Sequence, residues 1–195
     1  MARTAKRAAN QSTLRIIGGQ WRGRKLAFTP AEGLRPTTDR VRETLFNWLQ
    51  NDIPGARCLD LFAGSGALGL EALSRGAARA LLVEKSTIAA QQLEVHLHTL
   101  HCNDAAVVHL ATEQFLQRGP GDACYDVVFL DPPFGKGLIA TCTKLLEEKN
   151  WLAPGARIYL ESEHNLPATD IPDHWHIDRE KTAGQITYRL ATRQA

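Results

Sequence analysis

The sequence predicts an α/β protein with a doubly wound, mostly parallel sheet of seven strands and helices on both faces. Three observations carry that expectation. From Ala56 onward, short apolar runs alternate with amphipathic helical periods. Gly64, Gly66 and Gly69 form a Gly-x-Gly-x-x-Gly sequence directly after the first apolar run. Near the end, two β-rich stretches flank Lys181-Thr182-Ala183-Gly184 and imply an antiparallel pair at one edge.

The elements follow in order. Met1 to Thr13 holds too little apolar residue to fold alone and reads as a flexible basic arm. From Leu14 to Pro36, β-branched and aromatic residues with paired glycines predict a short hairpin carrying arginines. Thr38 or Asp39 caps a helix with Val41, Leu45, Phe46 and Leu49 on one face, ended by Pro54-Gly55. Cys58 to Phe62 is the first strand of the sheet, and a helix follows through Leu68, Leu70, Ala72 and Leu73. Ala80 to Val83 is the second, ending at Glu84. Ser86 then caps a helix with Ile88, Ala89, Leu93, Leu97 and Leu100 on its apolar face. Ala106 to Leu110 is the third strand, with a short helix near Phe115-Leu116. Asp126 to Leu130 is the most uniformly apolar strand and is expected at the centre of the sheet. Leu138, Ile139, Cys142, Leu145 and Leu146 define the next helix, and Ile158 to Leu160 the fifth strand.

Composition narrows the class. With 195 residues, 44% hydrophobic and 23% charged, the chain suits one soluble domain. No apolar run approaches the roughly 20 residues of a membrane span, and no apolar stretch follows Arg3, Lys6 and Arg7 as a secretory signal requires. Cys58, Cys102, Cys124 and Cys142 form no Cys-x-x-Cys, so free, largely buried thiols in a reducing cytoplasm are expected. His96, His98 and His101 with Cys102 lack a second cluster at ligand spacing; a solvated helix face is expected there, not a metal. The net charge of +2 hides an asymmetry: residues 1–46 carry +7 and the remainder −5. A basic segment on an acidic body suits a polyanionic partner, although a solvated tail gives the same count.

In such a sheet, ligands bind beyond the carboxyl ends of the strands, so the residues following each strand matter most. The glycine loop after Asp60, with Glu84 eighteen residues after Gly66, matches a dinucleotide fingerprint in outline. A nicotinamide dehydrogenase is therefore an alternative. Asp60 argues against it, because a carboxylate beside a pyrophosphate repels it. The same carboxylate suits a ligand with an ammonium and a sulfonium, as in S-adenosyl-L-methionine, whose ribose diol Glu84 could accept. A helix cap or a salt bridge is the simpler structural role for Asp60. After the fourth strand comes Asp131-Pro132-Pro133-Phe134. The Asp131 carboxylate and the Pro132 carbonyl are two acceptors, and Phe134 is a flat ring. Together they are what the exocyclic amine of a flipped-out base requires.

These segments resemble the class I S-adenosylmethionine-dependent methyltransferases that act on exocyclic amines. Arg15-Ile16-Ile17-Gly18-Gly19, Arg22-Gly23-Arg24-Lys25-Leu26 and the stretch from Arg35 to Phe46 resemble, more narrowly, the bacterial 16S rRNA (guanine-N2)-methyltransferase family. The resemblance runs from about Leu14 to Arg189 and includes Glu161-Ser162-Glu163 and Lys181 to Gln185. It implies a Rossmann-like domain over 55–195, an RNA-contacting hairpin and helix over 14–54, and an arm over 1–13. It implies S-adenosyl-L-methionine held by Asp60, Phe62, Ala63, Gly64, Ser65, Gly66, Glu84, Lys85 and Thr112, with Asp131, Pro132 and Phe134 at the reacting amine. Pro133, Arg15, Arg22, Arg24, Lys25, Arg35, Thr37, Arg40 and Arg42 would contact the RNA. The implied partner is 16S ribosomal RNA, within the 30S subunit or a late assembly intermediate, for a cytoplasmic monomer without metal or membrane. Many relatives place Asp or Asn after the third strand, against the adenine amine of the cofactor; Ala111-Thr112 stands here, leaving the backbone or Thr112 for that contact. The Asp-Pro-Pro-Phe loop also occurs in adenine-N6 methyltransferases, which are the nearest alternative. A nucleic-acid-binding protein without turnover is the next.

Overall fold

The computed structural model describes residues 12–29, 38–121 and 123–194. Most of the expected basic arm, together with Arg35 and Thr37, lies outside the described residues. Strands β1 (Ser12–Arg15) and β2 (Lys25–Phe28) pair antiparallel with Leu14 opposite Leu26, giving the expected hairpin. Helix α1 (Asp39–Trp48) begins where the Thr38 hydroxyl accepts a hydrogen bond from the Val41 N–H at 3.4 Å. Val41, Leu45, Phe46 and Leu49 are buried as the periodicity requires. The helix stops at Trp48, well short of Pro54. Asp52 and Ile53 donate back to the Leu49 carbonyl instead, and the tighter turn carries Ile53 into the core.

The sheet contains β3 (Arg57–Asp60), β4 (Arg79–Glu84), β5 (Ala105–His109), β6 (Tyr125–Leu130), β7 (Leu152–Glu163), β8 (Trp175–Ala183) and β9 (Ile186–Arg193), in the order β5-β4-β3-β6-β7-β9-β8. The first five neighbours run parallel, and β9 pairs antiparallel with both β7 and β8. Strand β6 is central, and Val127 to Leu130 are wholly buried, as a strand covered on both faces must be. Between the strands lie α2 (Gly69–Ser74), α3 (Thr87–Thr99), α4 (Thr112–Gln117) and α5 (Leu138–Glu148).

Alternation along the strands divides two cores. Cys58, Val127, Phe129 and Tyr159 face one side, where the hairpin, α1, α2 and α3 contribute Leu14, Ile16, Leu26, Phe28, Phe46, Leu70 and Leu93. Leu59, Val128, Leu130, Ile158 and Leu160 face the other, against α4 and α5. Ile88, expected on the buried face of α3, is 62% exposed. It lies about 100° around the helix from Ala89 and so off the Ala89-Leu93-Leu97 stripe. His96 also departs from expectation. It is buried, and its Nε2 lies 3.0 Å from the Ala27 carbonyl, fastening β2 to α3. Cys58 and Cys142 are buried, with burial pushing the Cys142 thiol up to about 12; Cys102 is partly buried and Cys124 exposed. Among the described residues no cluster of His, Cys, Asp or Glu could hold a metal, and no helix is long and apolar enough to cross a membrane.

Candidate active site

The strand order reverses between β3 and β6. The chain winds outward through β4 and β5, then returns to place β6 on the other side of β3. A crevice opens at such a point because the two following loops leave in opposite directions. Here those loops are the glycine loop after β3 and Asp131 to Phe134 after β6.

Two carboxylates shape the glycine loop. Glu84, at the end of β4, accepts the Gly64 N–H at 2.8 Å on one oxygen and the Ser86 N–H at 2.7 Å on the other. Asp60 accepts the Gly69 N–H at 2.9 Å and is 2% exposed. Burial pushes the Asp60 carboxyl up to about 7; bonds from the Gly69 and Phe62 N–H groups pull it down, and nearby Glu84 pushes it up again. No ion pair neutralises it among the described residues. Gly66 has a φ of +85°, and a Cβ there would lie 2.7 Å from a Leu70 methyl. A Cβ on Gly69 would lie 2.1 Å from a Leu82 methyl, so this glycine lets α2 close on β4. Phe62 and Ser65 are partly exposed along the loop, Ala63 is buried, and Lys85 is exposed beyond it.

Thr112 opens α4 beside this loop, but its hydroxyl donates to the Leu61 carbonyl at 2.7 Å and is buried. Its side-chain proton is therefore committed within the protein. What the segment offers a ligand is the N-terminal backbone of α4, which has no side-chain cap. On the other side of the crevice Pro132 is buried, whereas Pro133 and Phe134 are exposed. An exposed Phe beside a buried proline turn is a stacking surface held in place by its own loop. Pro132, Phe134, Leu138, Glu161 and Leu166 line a cleft between this loop and the end of β7.

The expected RNA-facing cations separate into three groups. Arg22, Lys25 and Arg40 are exposed on the hairpin and α1. Arg15 and Arg24 are exposed but engaged: Arg15 pairs with Asp39 at 3.1 Å, and Arg24 donates to the Thr99 carbonyl at the end of α3. Arg42 is a correction. It is 1% exposed, donates to Asp39 at 2.6 Å and to the Arg15 carbonyl at 2.9 Å, and lies 3.7 Å from Glu71. Helical phase turns it inward, one residue from Val41 on the packed face, so it cannot meet RNA.

The residue missed in the sequence is Glu71. Fully buried on α2, it accepts the Ile17 and Gly18 N–H groups, both at 2.8 Å, and Arg75 Nε at 2.7 Å. A Cβ on Gly19 would lie 1.7 Å from the Ser74 carbonyl, so the paired glycines serve as the docking edge of the hairpin. An acid inside an apolar helix, Leu68 to Leu73, was the available signal.

A parallel sheet reversed at β9, with a glycine loop and an Asp-Pro-Pro-Phe loop at its switch point, defines the class I methyltransferase fold. The protein family described as Conserved hypothetical protein 95 matches residues 14–192, and the chain belongs to it. It is 54% identical to Ribosomal RNA small subunit methyltransferase D of Escherichia coli strain K12 over 183 residues, covering 93% of this chain and 91% of that protein. Its identity to the protein of the same name in Haemophilus influenzae is 49%, over 91% of this chain and 92% of that one. The solved structure of Escherichia coli yhhF superposes with a TM-score of 0.85 at 54% identity, over 94% of this chain and 99% of that one.

Proposed function

We propose that the protein transfers a methyl group from S-adenosyl-L-methionine to the exocyclic N2 amine of a guanine in 16S ribosomal RNA. The observation that carries the reading is the meeting of the glycine loop and the Asp131 to Phe134 loop on neighbouring strands at the switch point. Each feature alone is common. Their adjacency supports a reading in which a nucleoside site lies beside an acceptor site for an amine. The residues also fit the cofactor's charge: Asp60 is a buried carboxyl with no ion-pair partner among the described residues, and a sulfonium and ammonium nearby would supply one. Phe62 to Gly66, Glu84 and Lys85 would hold the cofactor, with the α4 N-terminal backbone at Thr112 facing its adenine. Kinship with enzymes named as small-subunit rRNA methyltransferases supports the RNA substrate.

When bound, the cofactor supplies an electrophilic methyl group. The rest falls to the chain. An exocyclic amine is a weak nucleophile because its lone pair is delocalised into the ring. Asp131 and the Pro132 carbonyl accept its two hydrogens, which favours a geometry with the lone pair directed out of the base plane. Phe134 stacks on the base and fixes its depth. Positioning and fixed electrostatics then supply most of the rate. Asp131 need not be a strong base, because the alkylated amine is cationic and sheds its proton readily.

The test is methylation of 30S particles from a strain lacking the enzyme, with a tritiated methyl donor and nucleoside analysis. Label in N2-methylguanosine is expected. Label in N6-methyladenosine would overturn the base assignment in favour of the adenine alternative, and no label at all would favour a binding protein without turnover.

A further inference from the structure

The Asp131 to Phe134 loop reads an amine but not the base that bears it, since guanine and adenine both present one. The neighbouring strand supplies a second group. Strands β6 and β7 pair with Leu130 beside Leu160, so Asp131, the residue that follows β6, comes abreast of Glu161 within β7. Side chains alternate along a strand, which returns Asp131 to the face of Phe129 and Glu161 to the face of Tyr159. The two carboxylates therefore stand on one face of the sheet, at the mouth of one crevice. Glu161 is 5% exposed and lines the cleft that Pro132 and Phe134 also line.

Glu161 is also held. The Tyr159 hydroxyl donates to its Oε2 at 2.7 Å. Burial, and then the charges of Glu161 and Asp131, push the Tyr159 phenol well above its ordinary range, so it remains a donor throughout the working pH range. An ionised carboxylate accepts at about four lone-pair positions, and the Tyr159 hydroxyl is one of the donors that hold Glu161.

The two purines differ at the ring nitrogen beside the amine. Guanine presents a donor, N1–H, next to its N2 amine; adenine presents a bare acceptor, N1, next to its N6 amine. Two carboxylates side by side match two adjacent donors and repel a donor–acceptor pair. We propose that Glu161 selects guanine by accepting its N1–H while Asp131 and Pro132 hold N2, with Tyr159 as the positioning residue. The proposal rests on the reading of guanine N2 as the methylated amine.

The experiment compares reconstituted 30S particles carrying guanine or 2-aminopurine at the methylated nucleotide. 2-Aminopurine keeps the amine but has no N1–H. The wild-type enzyme should prefer guanine in kcat/KM by about 10- to 100-fold, the discrimination a well-placed acceptor gives against the wrong base edge. Glu161→Gln should bring that ratio towards one, with cofactor binding by calorimetry unchanged. Tyr159→Phe, which leaves the carboxylate in place but unanchored, should lower the ratio part-way and decides the matter if the glutamine variant fails to fold. An equal loss on both particles, with the ratio intact, would overturn the proposal and leave Glu161 a structural group. No preference in the wild type would overturn it as well. Failure of the wild type to make N2-methylguanosine at all would instead overturn the reading of the reaction on which it rests.

Discussion

Asp60 ties the fold to the proposed cofactor site through its protonation. The folded chain holds its proton up to pH about 7, whereas an ordinary aspartate releases it near 3.8. The folded state thus binds more protons than the unfolded one between those values, and stability of the free protein declines as pH rises from about 4 to about 7. Asp60→Asn should remove that decline, visible as a smaller drop in Tm between pH 5 and pH 8, while weakening cofactor binding by roughly tenfold or more. Cofactor binding near pH 7 should release a proton, measured as a dependence of calorimetric heat on the ionisation enthalpy of the buffer. Binding without proton exchange would count against a cation beside Asp60. Asp131 should behave differently, because the partner proposed for it is the substrate amine. Asp131→Ala should cost on the order of 10²–10³ in kcat, the usual effect of removing one fixed electrostatic group, with cofactor affinity within a few-fold. A near-normal kcat would sink the acceptor role.

Among elements, the hairpin joins the sheet through a polar cluster as well as through its apolar residues. Its turn region is fixed to α2 by Glu71 and by the Ser74 hydroxyl, which donates to the Gly18 carbonyl at 2.6 Å and accepts the Trp21 N–H at 3.0 Å. Glu71 also faces two buried or half-buried cations, Arg42 and Arg75. Removing one member of a buried ionic cluster leaves the others without compensation, at a cost of about 3–5 kcal/mol. Glu71→Gln should therefore lower Tm by on the order of 10 °C, and it should reduce methylation of 30S particles more than it reduces cofactor binding. Arg40→Gln, an exposed change on α1, is the control and should leave Tm within a degree or two. Equal Tm values for the two variants would show that the hairpin is held by its apolar residues alone.

On the scale of the molecule, charge and packing divide the chain in different places. The +7 of residues 1–46 sits on a body of −5, yet Leu14, Ile16, Leu26 and Phe28 belong to the same core as Phe129 and Tyr159. The exposed Arg22, Arg24 and Lys25 of the hairpin are thus carried by the enzyme's own packing rather than hung from it. Substituting Arg22, Lys25 and Arg40 together by Gln should weaken binding to 30S particles at low salt and lower the slope of log K against log salt by roughly two to three units. Cofactor binding and Tm should hardly change. An unchanged slope with unchanged activity would place the RNA-binding surface elsewhere on the molecule.

Sequence alone determined the parts governed by local chemistry. Periodicity located the strands and helices, because alternation and the helical stripe are read off neighbouring residues. The uniform apolarity of Val127 to Leu130 put β6 at the centre of the sheet, and the residues following β3 and β6 marked where a ligand would sit. Three assignments depended on partners far away in the chain. Arg42 looked like one more surface cation, and became a buried structural ion only when Glu71, Asp39 and the Arg15 carbonyl closed around it. Asp60 read as a ligand carboxylate or a helix cap; the fold buries it beside Gly69 and Glu84, which raises its pKa to about 7. Glu161 drew attention only as part of a motif, and its place beside Asp131 came from the register of β6 on β7. Local pattern fixes which face a residue takes; only the tertiary structure decides whether that face meets water, core or an opposite charge, because those energies depend on groups the sequence separates by tens of residues.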